Sequence, residues 1–160
     1  MLKTVQSLAV GLACLTAAGT ASAANLTAGS YGVSSYYTSA TGAGGGTCDI
    51  FPKGTYLSSE YTYPGPNKPG ATSRTFINGP SPQYVLLQTY PTTPPNGATS
   101  WSGSVTDTFL PGGTPTTGSF STTYTVTDAK SYIDTTTYVF PSNGGTCTSV
   151  VQHVGIWSGK

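Results

Sequence analysis

Along residues 100–109, "SWSGSVTDTF", apolar and hydroxyl-bearing positions take turns. Trp101, Gly103, Val105, Asp107 and Phe109 fall on one side, and Ser100, Ser102, Ser104, Thr106 and Thr108 on the other. "SFSTTYTV" at 119–126 repeats the pattern, setting Phe120, Thr122, Tyr124 and Val126 against Ser119, Ser121, Thr123 and Thr125. A helix cannot sort these residues into two faces, whereas a half-buried antiparallel strand does. Segments of the same kind, rich in tyrosine, valine and threonine, lie at 31–38, 47–51, 55–63, 72–78, 83–90, 131–140 and 146–157. Such residues suit a pleated surface. "PGPNKPG", "NGPSP", "PTTPPNG", "PGGTPTTG" and "PSNGG" separate them. Proline cannot donate within a ladder and glycine supplies positive φ, so these are turns and loops. The pattern predicts an all-β fold, a single antiparallel meander of about eight or nine strands.

Residues 1–23 do not share that alternation. Lys3 is followed by an apolar stretch from Leu8 to Ala18 and by Ala21-Ser22-Ala23. A positive start, a short apolar core and a small-x-small ending predict a secretory signal peptide over 1–23, with one all-β domain over 24–160. The expected location is therefore secreted or periplasmic. Cleavage removes Cys14 and leaves two cysteines, Cys48 in "GGGTC" and Cys147 in "GGTC". With one histidine in the chain they make a poor zinc site, and their spacing is unlike a redox C-x-x-C pair. In an oxidising compartment they are expected to form a structural disulfide. A bridge requires α-carbons within roughly 7 Å, so the start and end of the meander must be neighbours. Closing a meander achieves this directly, whereas a sandwich needs a crossover. A closed up-and-down β-barrel is thus favoured over a β-sandwich. Rows of serine and threonine are poor lipid-facing surfaces, so no membrane span is expected in the mature chain.

Charged residues make up 7% of the chain, and its formal net charge is +1 with Lys3 included. No basic patch exists to track phosphates, which argues against nucleic acid and anionic membrane surfaces as partners. Beyond the signal segment the acids and bases available for catalysis are His153, Glu60, Asp49, Asp107, Asp128 and Asp134. No G-x-S-x-G elbow accompanies them, and "GAGGG" at 42–46 lacks the lysine and hydroxyl of a phosphate-binding loop. The chain is therefore expected not to be an enzyme, and no cofactor or metal is expected.

Two aspartates stand out. Asp107 shares the apolar face of its segment with Trp101, Val105 and Phe109, and Asp134 shares one with Tyr132, Tyr138 and Phe140. An isolated buried carboxylate is costly, so inward aspartates need hydrogen bonds or a water-filled lumen. Asp134 points inward only if the turn at 128–130 pairs Val126 with Tyr132, because a one-residue slip reverses the face. Polar groups converging in an aromatic cavity are how small-ligand sites are built. Trp101, Asp107, Tyr124, Asp134 and His153 are the candidate ligand-binding residues. The expected function is binding of a small apolar or sugar-like molecule inside the barrel. The alternative is a cavity-less extracellular interaction module (a surface, adhesion or inhibitor protein). The expected shape resembles lipocalin-like barrels, but their G-x-W signature is absent, Trp101-Ser102-Gly103 running the opposite way. That likeness concerns the fold alone.

Overall fold

The computed structural model describes residues 25–46, 48, 53–69, 71–76 and 85–159, with the backbone alone at 71–76. The expected signal peptide over 1–23 lies outside these residues, as does the strand expected at 47–51 apart from Cys48, which is not in a strand. Among the described residues the chain is all-β, with eight strands: β1 (Gly29–Ala43), β2 (Tyr56–Tyr63), β3 (Ala71–Phe76), β4 (Val85–Tyr90), β5 (Ser100–Leu110), β6 (Thr116–Asp128), β7 (Ser131–Ser142) and β8 (Gly145–Gly159). No described helix is long and apolar enough to cross a membrane.

The strands form one curled antiparallel sheet rather than two stacked ones. Each strand pairs with its successor. β1 also pairs with β8, from Ser30 opposite Gly159 to Ala43 opposite Thr146. Connections are tight where the sequence supplies turn residues. Asn143 and Gly144, both with positive φ (41° and 86°), form the two-residue link between β7 and β8. That conformation at both positions is what a primed hairpin turn requires.

Alternation sorts the faces as the sequence predicts. On the concave side Tyr31, Val33, Tyr37, Val105, Phe120, Tyr124, Tyr132 and Tyr138 are buried. On the convex side of β5 and β6, Ser102, Ser104, Ser119, Ser121 and Thr123 are exposed. β7 and β8 depart from this pattern: Ile133, Val154 and Ile156 lie exposed on the outer surface.

The interior is packed by laying rings over glycines. Gly103 is the register partner of Phe120, whose ring lies 3.4 Å from where a Cβ at 103 would sit. Phe140 covers Gly118 in the same manner, and Tyr132 covers its partner Gly155. Tyr132 in turn packs against Tyr31, Tyr61 and Tyr124 at centroid distances of 5.7, 6.3 and 5.2 Å. A glycine opposite a large ring leaves room for that ring to lie flat on the sheet. Few aliphatic side chains are then needed to fill the core.

The cysteines pair as expected. Cys48 and Cys147 are bridged, with Cα atoms 5.2 Å apart. Cys147 lies near the start of β8, opposite Gly42 of β1. The bridge therefore ties the segment that follows β1 back onto the β1–β8 seam.

Candidate functional site

Four of the five candidate residues come together. Trp101, Tyr124, Asp134 and His153 line a space of about 40 Å³ inside the curled sheet. Asp107 does not join them. It faces a separate cavity near the other end of the sheet, beside the disulfide.

Asp134 owes its inward direction to the β6–β7 hairpin. Val126 does pair with Tyr132, and Tyr124 with Asp134. The link itself is shorter than the three-residue loop considered from sequence: Asp128 pairs with Ser131, and the register shifts between Val126 and Asp128. A two-residue turn plus one bulged residue, Thr127, gives the same offset. Asp128 holds the turn by accepting the Lys130 N–H at 2.6 Å and the Ser131 hydroxyl at 2.7 Å. Those bonds, led by the Ser131 hydroxyl, hold its carboxyl below the ordinary range.

Around Asp134 the polar groups are largely matched. Thr136 Oγ1 donates to Asp134 Oδ1 at 2.8 Å and lies 2.7 Å from Thr122 Oγ1. His153 Nε2 approaches the same carboxylate oxygen at 4.0 Å. Burial pushes the Asp134 carboxyl up, while His153 and the threonine hydroxyls oppose that shift. The hydroxyls of Tyr61 and Tyr124 are buried in this region without a hydrogen-bond partner among the described residues. A space of about 40 Å³ has room for a water or two.

A chain of hydrogen bonds leads from this cluster to Asp107. Ser35 Oγ lies 2.8 Å from His153 Nδ1, and His153 Nε2 lies 3.3 Å from the Tyr138 hydroxyl. The Tyr138 and Tyr90 hydroxyls are 2.8 Å apart, and Tyr90 donates to Gln88 Oε1 at 3.3 Å. Gln88 sits opposite Asp107 in the β4–β5 ladder and hydrogen-bonds its carboxylate. The Tyr90–Tyr138 bond can run in either direction, and the His153 ring nitrogens donate or accept according to tautomer.

Asp107 itself is only partly satisfied. The residue is half-buried, yet its Oδ1 is shut off from solvent and has no hydrogen-bond partner among the described residues. The cavity it borders measures about 150 Å³, walled by Tyr37, Phe109, Tyr138, Phe140 and the Cys48–Cys147 bridge. Desolvation pushes the Asp107 carboxyl up to about 7, against the lowering effect of the Gln88 hydrogen bond.

This shift sets a pH dependence. Asp107 has an ordinary value of 3.8 and about 7 in the fold, so the native state keeps a proton that the unfolded chain has already lost between those values. Stability is therefore highest below that window, falls as pH rises through it, and levels off above. Asp134, shifted the same way, adds to the decline. Urea unfolding across pH 4–8 should show this fall, and Asp107→Asn should lessen it, gaining on the parent at the alkaline end. Parallel profiles for parent and variant would show that Asp107 is hydrated.

Sequence reasoning missed Ser35, Gln88, Tyr90 and Tyr138 as members of the polar chain. Gln88 carried a usable signal, since it alternates in step with Leu86 and Tyr90, all three buried. An amide on an apolar face needs a partner. Among the described residues no three of His, Cys, Asp or Glu gather where a metal could be held. Compared with known proteins, the chain matches no family model, no curated protein and no solved structure.

Proposed function

We propose that this chain is an exported small-molecule-binding protein, its sheet closed by the β1–β8 ladder into an up-and-down barrel, with no catalytic role. The observation that carries the reading is a cavity of about 150 Å³ lined by aromatic rings and by the half-buried carboxylate residue Asp107. An apolar engineered cavity of about that size takes up benzene, so the occupant is a compact, largely apolar molecule of that order. Its polar contact is with Asp107 and not with the tighter Asp134–His153 cluster. Sugar rings, larger and polar all round, fit this space poorly. Export is supported by the Lys3–Ala23 pattern and by the bridge between Cys48 and Cys147, which belongs to an oxidising compartment.

Thermal unfolding with a panel of compact aromatic compounds tests this reading. A compound bound at 100 times its Kd should stabilise the fold by about 2.7 kcal/mol. Ala40→Phe, which fills the cavity from β1, should abolish the effect while leaving the protein folded. If no compound raises the melting temperature, function passes to the outer face. There the exposed Ile133, Val154 and Ile156 favour the interaction-module reading.

A further inference from the structure

We infer that the cavity beside the disulfide selects a small organic cation, a primary amine on a compact aromatic or aliphatic body, over neutral molecules of the same shape. The inference rests on the cavity being a ligand site, as proposed above, and adds the charge of the ligand.

Geometry supplies the reasons. Among the described residues lining the cavity, Asp107 alone carries a carboxylate. No lysine, arginine or histidine is among the described residues lining that space. A bound anion would face this carboxylate with nothing to offset it. A neutral alcohol could hydrogen-bond the carboxylate, but an ammonium forms the stronger, charge-assisted bond. The remaining walls include the rings of Tyr37, Phe109, Tyr138 and Phe140. Aromatic faces attract cations and accept apolar bodies equally well. Gln88, opposite Asp107 in the β4–β5 ladder, favours the ionised carboxylate once an ammonium arrives.

The groups facing Asp107 from its neighbours are Tyr37 of β1, Gln88 and Tyr90 of β4, Thr116 of β6 and Tyr138 of β7. Burial pushes all three tyrosines well above their ordinary range, so none ionises near neutrality. His153 of β8 reaches Asp107 only through Tyr138, Tyr90 and Gln88. Between pH 5 and 8 Asp107 is thus the group at the cavity that changes charge.

Calorimetric titration of the mature protein with benzylamine and benzyl alcohol tests the inference. These probes match in size and differ in charge. At pH 8 benzylamine should bind at least about tenfold more tightly than the alcohol, the advantage expected of a hydrogen bond between charged groups. The preference should shrink at pH 5 and disappear in Asp107→Asn, with the alcohol's affinity kept. The pH comparison stands on the parent protein even if that variant folds poorly. Equal binding of both probes at pH 8 overturns the cation and leaves the cavity as a site for neutral molecules, and an amine preference that survives in Asp107→Asn overturns Asp107 as the group that selects it. Binding of neither probe removes both the inference and the site it rests on.

Discussion

Replacing Cys48 and Cys147 together by serine lowers the unfolding free energy by about 4–5 kcal/mol, the entropy of closing a loop of this size in the unfolded chain. The two cysteines are separated by 99 positions, so the bridge restrains most of the domain. Little offsets that loss, because few charges remain to hold the ends together: charged residues are 7% of the chain. The β1–β8 ladder survives in the variant, since its hydrogen bonds do not depend on sulfur. Urea unfolding followed by the fluorescence of Trp101 and Trp157 reads the change. The denaturant slope should rise as well, because an unbridged unfolded chain exposes more surface. An effect below about 1 kcal/mol would mean that the unfolded chain is already compact without the bridge.

Tyr132→Ala has an effect of similar size, about 3–5 kcal/mol, the usual cost of truncating a buried aromatic. Tyr132 is only 4% exposed and touches Tyr31, Tyr61 and Tyr124. Its removal uncovers Gly155, so one substitution empties the centre of the aromatic cluster. Gly155→Ala should cost about 1–3 kcal/mol in the parent, because the new methyl falls inside the Tyr132 ring. In the Tyr132→Ala background the same methyl enters open space, and the sign should reverse. A double-mutant cycle by urea unfolding measures this coupling. Additive effects would show that ring and glycine do not pack on each other.

How far the sequence speaks for this structure can be judged residue by residue. The alternation in 100–109 and 119–126 placed Trp101, Val105, Phe120 and Tyr124 on the concave face, because period two leaves no other sorting. The ring-over-glycine pairs were not legible. Gly103, Gly118 and Gly155 acquire their rings only through cross-strand register, which alternation does not determine. Register also decided Asp134. Sequence framed the choice as one of loop length, and the structure reaches the same pairing through a bulge at Thr127. The sequence predicts one patch, yet Asp107 lies apart from the other four candidate residues. Facing inward is a property of a strand, whereas depth along the sheet depends on every strand before it. The relay from Ser35 to Gln88 joins four strands and leaves no local signature.

The carboxyl carbon of Asp107, followed by nuclear magnetic resonance across pH in protein labelled at aspartate, tests most directly whether this side chain marks an enclosed ligand site. In the free protein its signal should titrate near 7, as expected of a carboxyl held from water at the cavity wall. Saturation with a bound amine should move that midpoint downward, because the ammonium stabilises the ionised form. A midpoint near the ordinary 3.8, unmoved by any compound, would contradict the account, since it would place Asp107 in water with no site beside it.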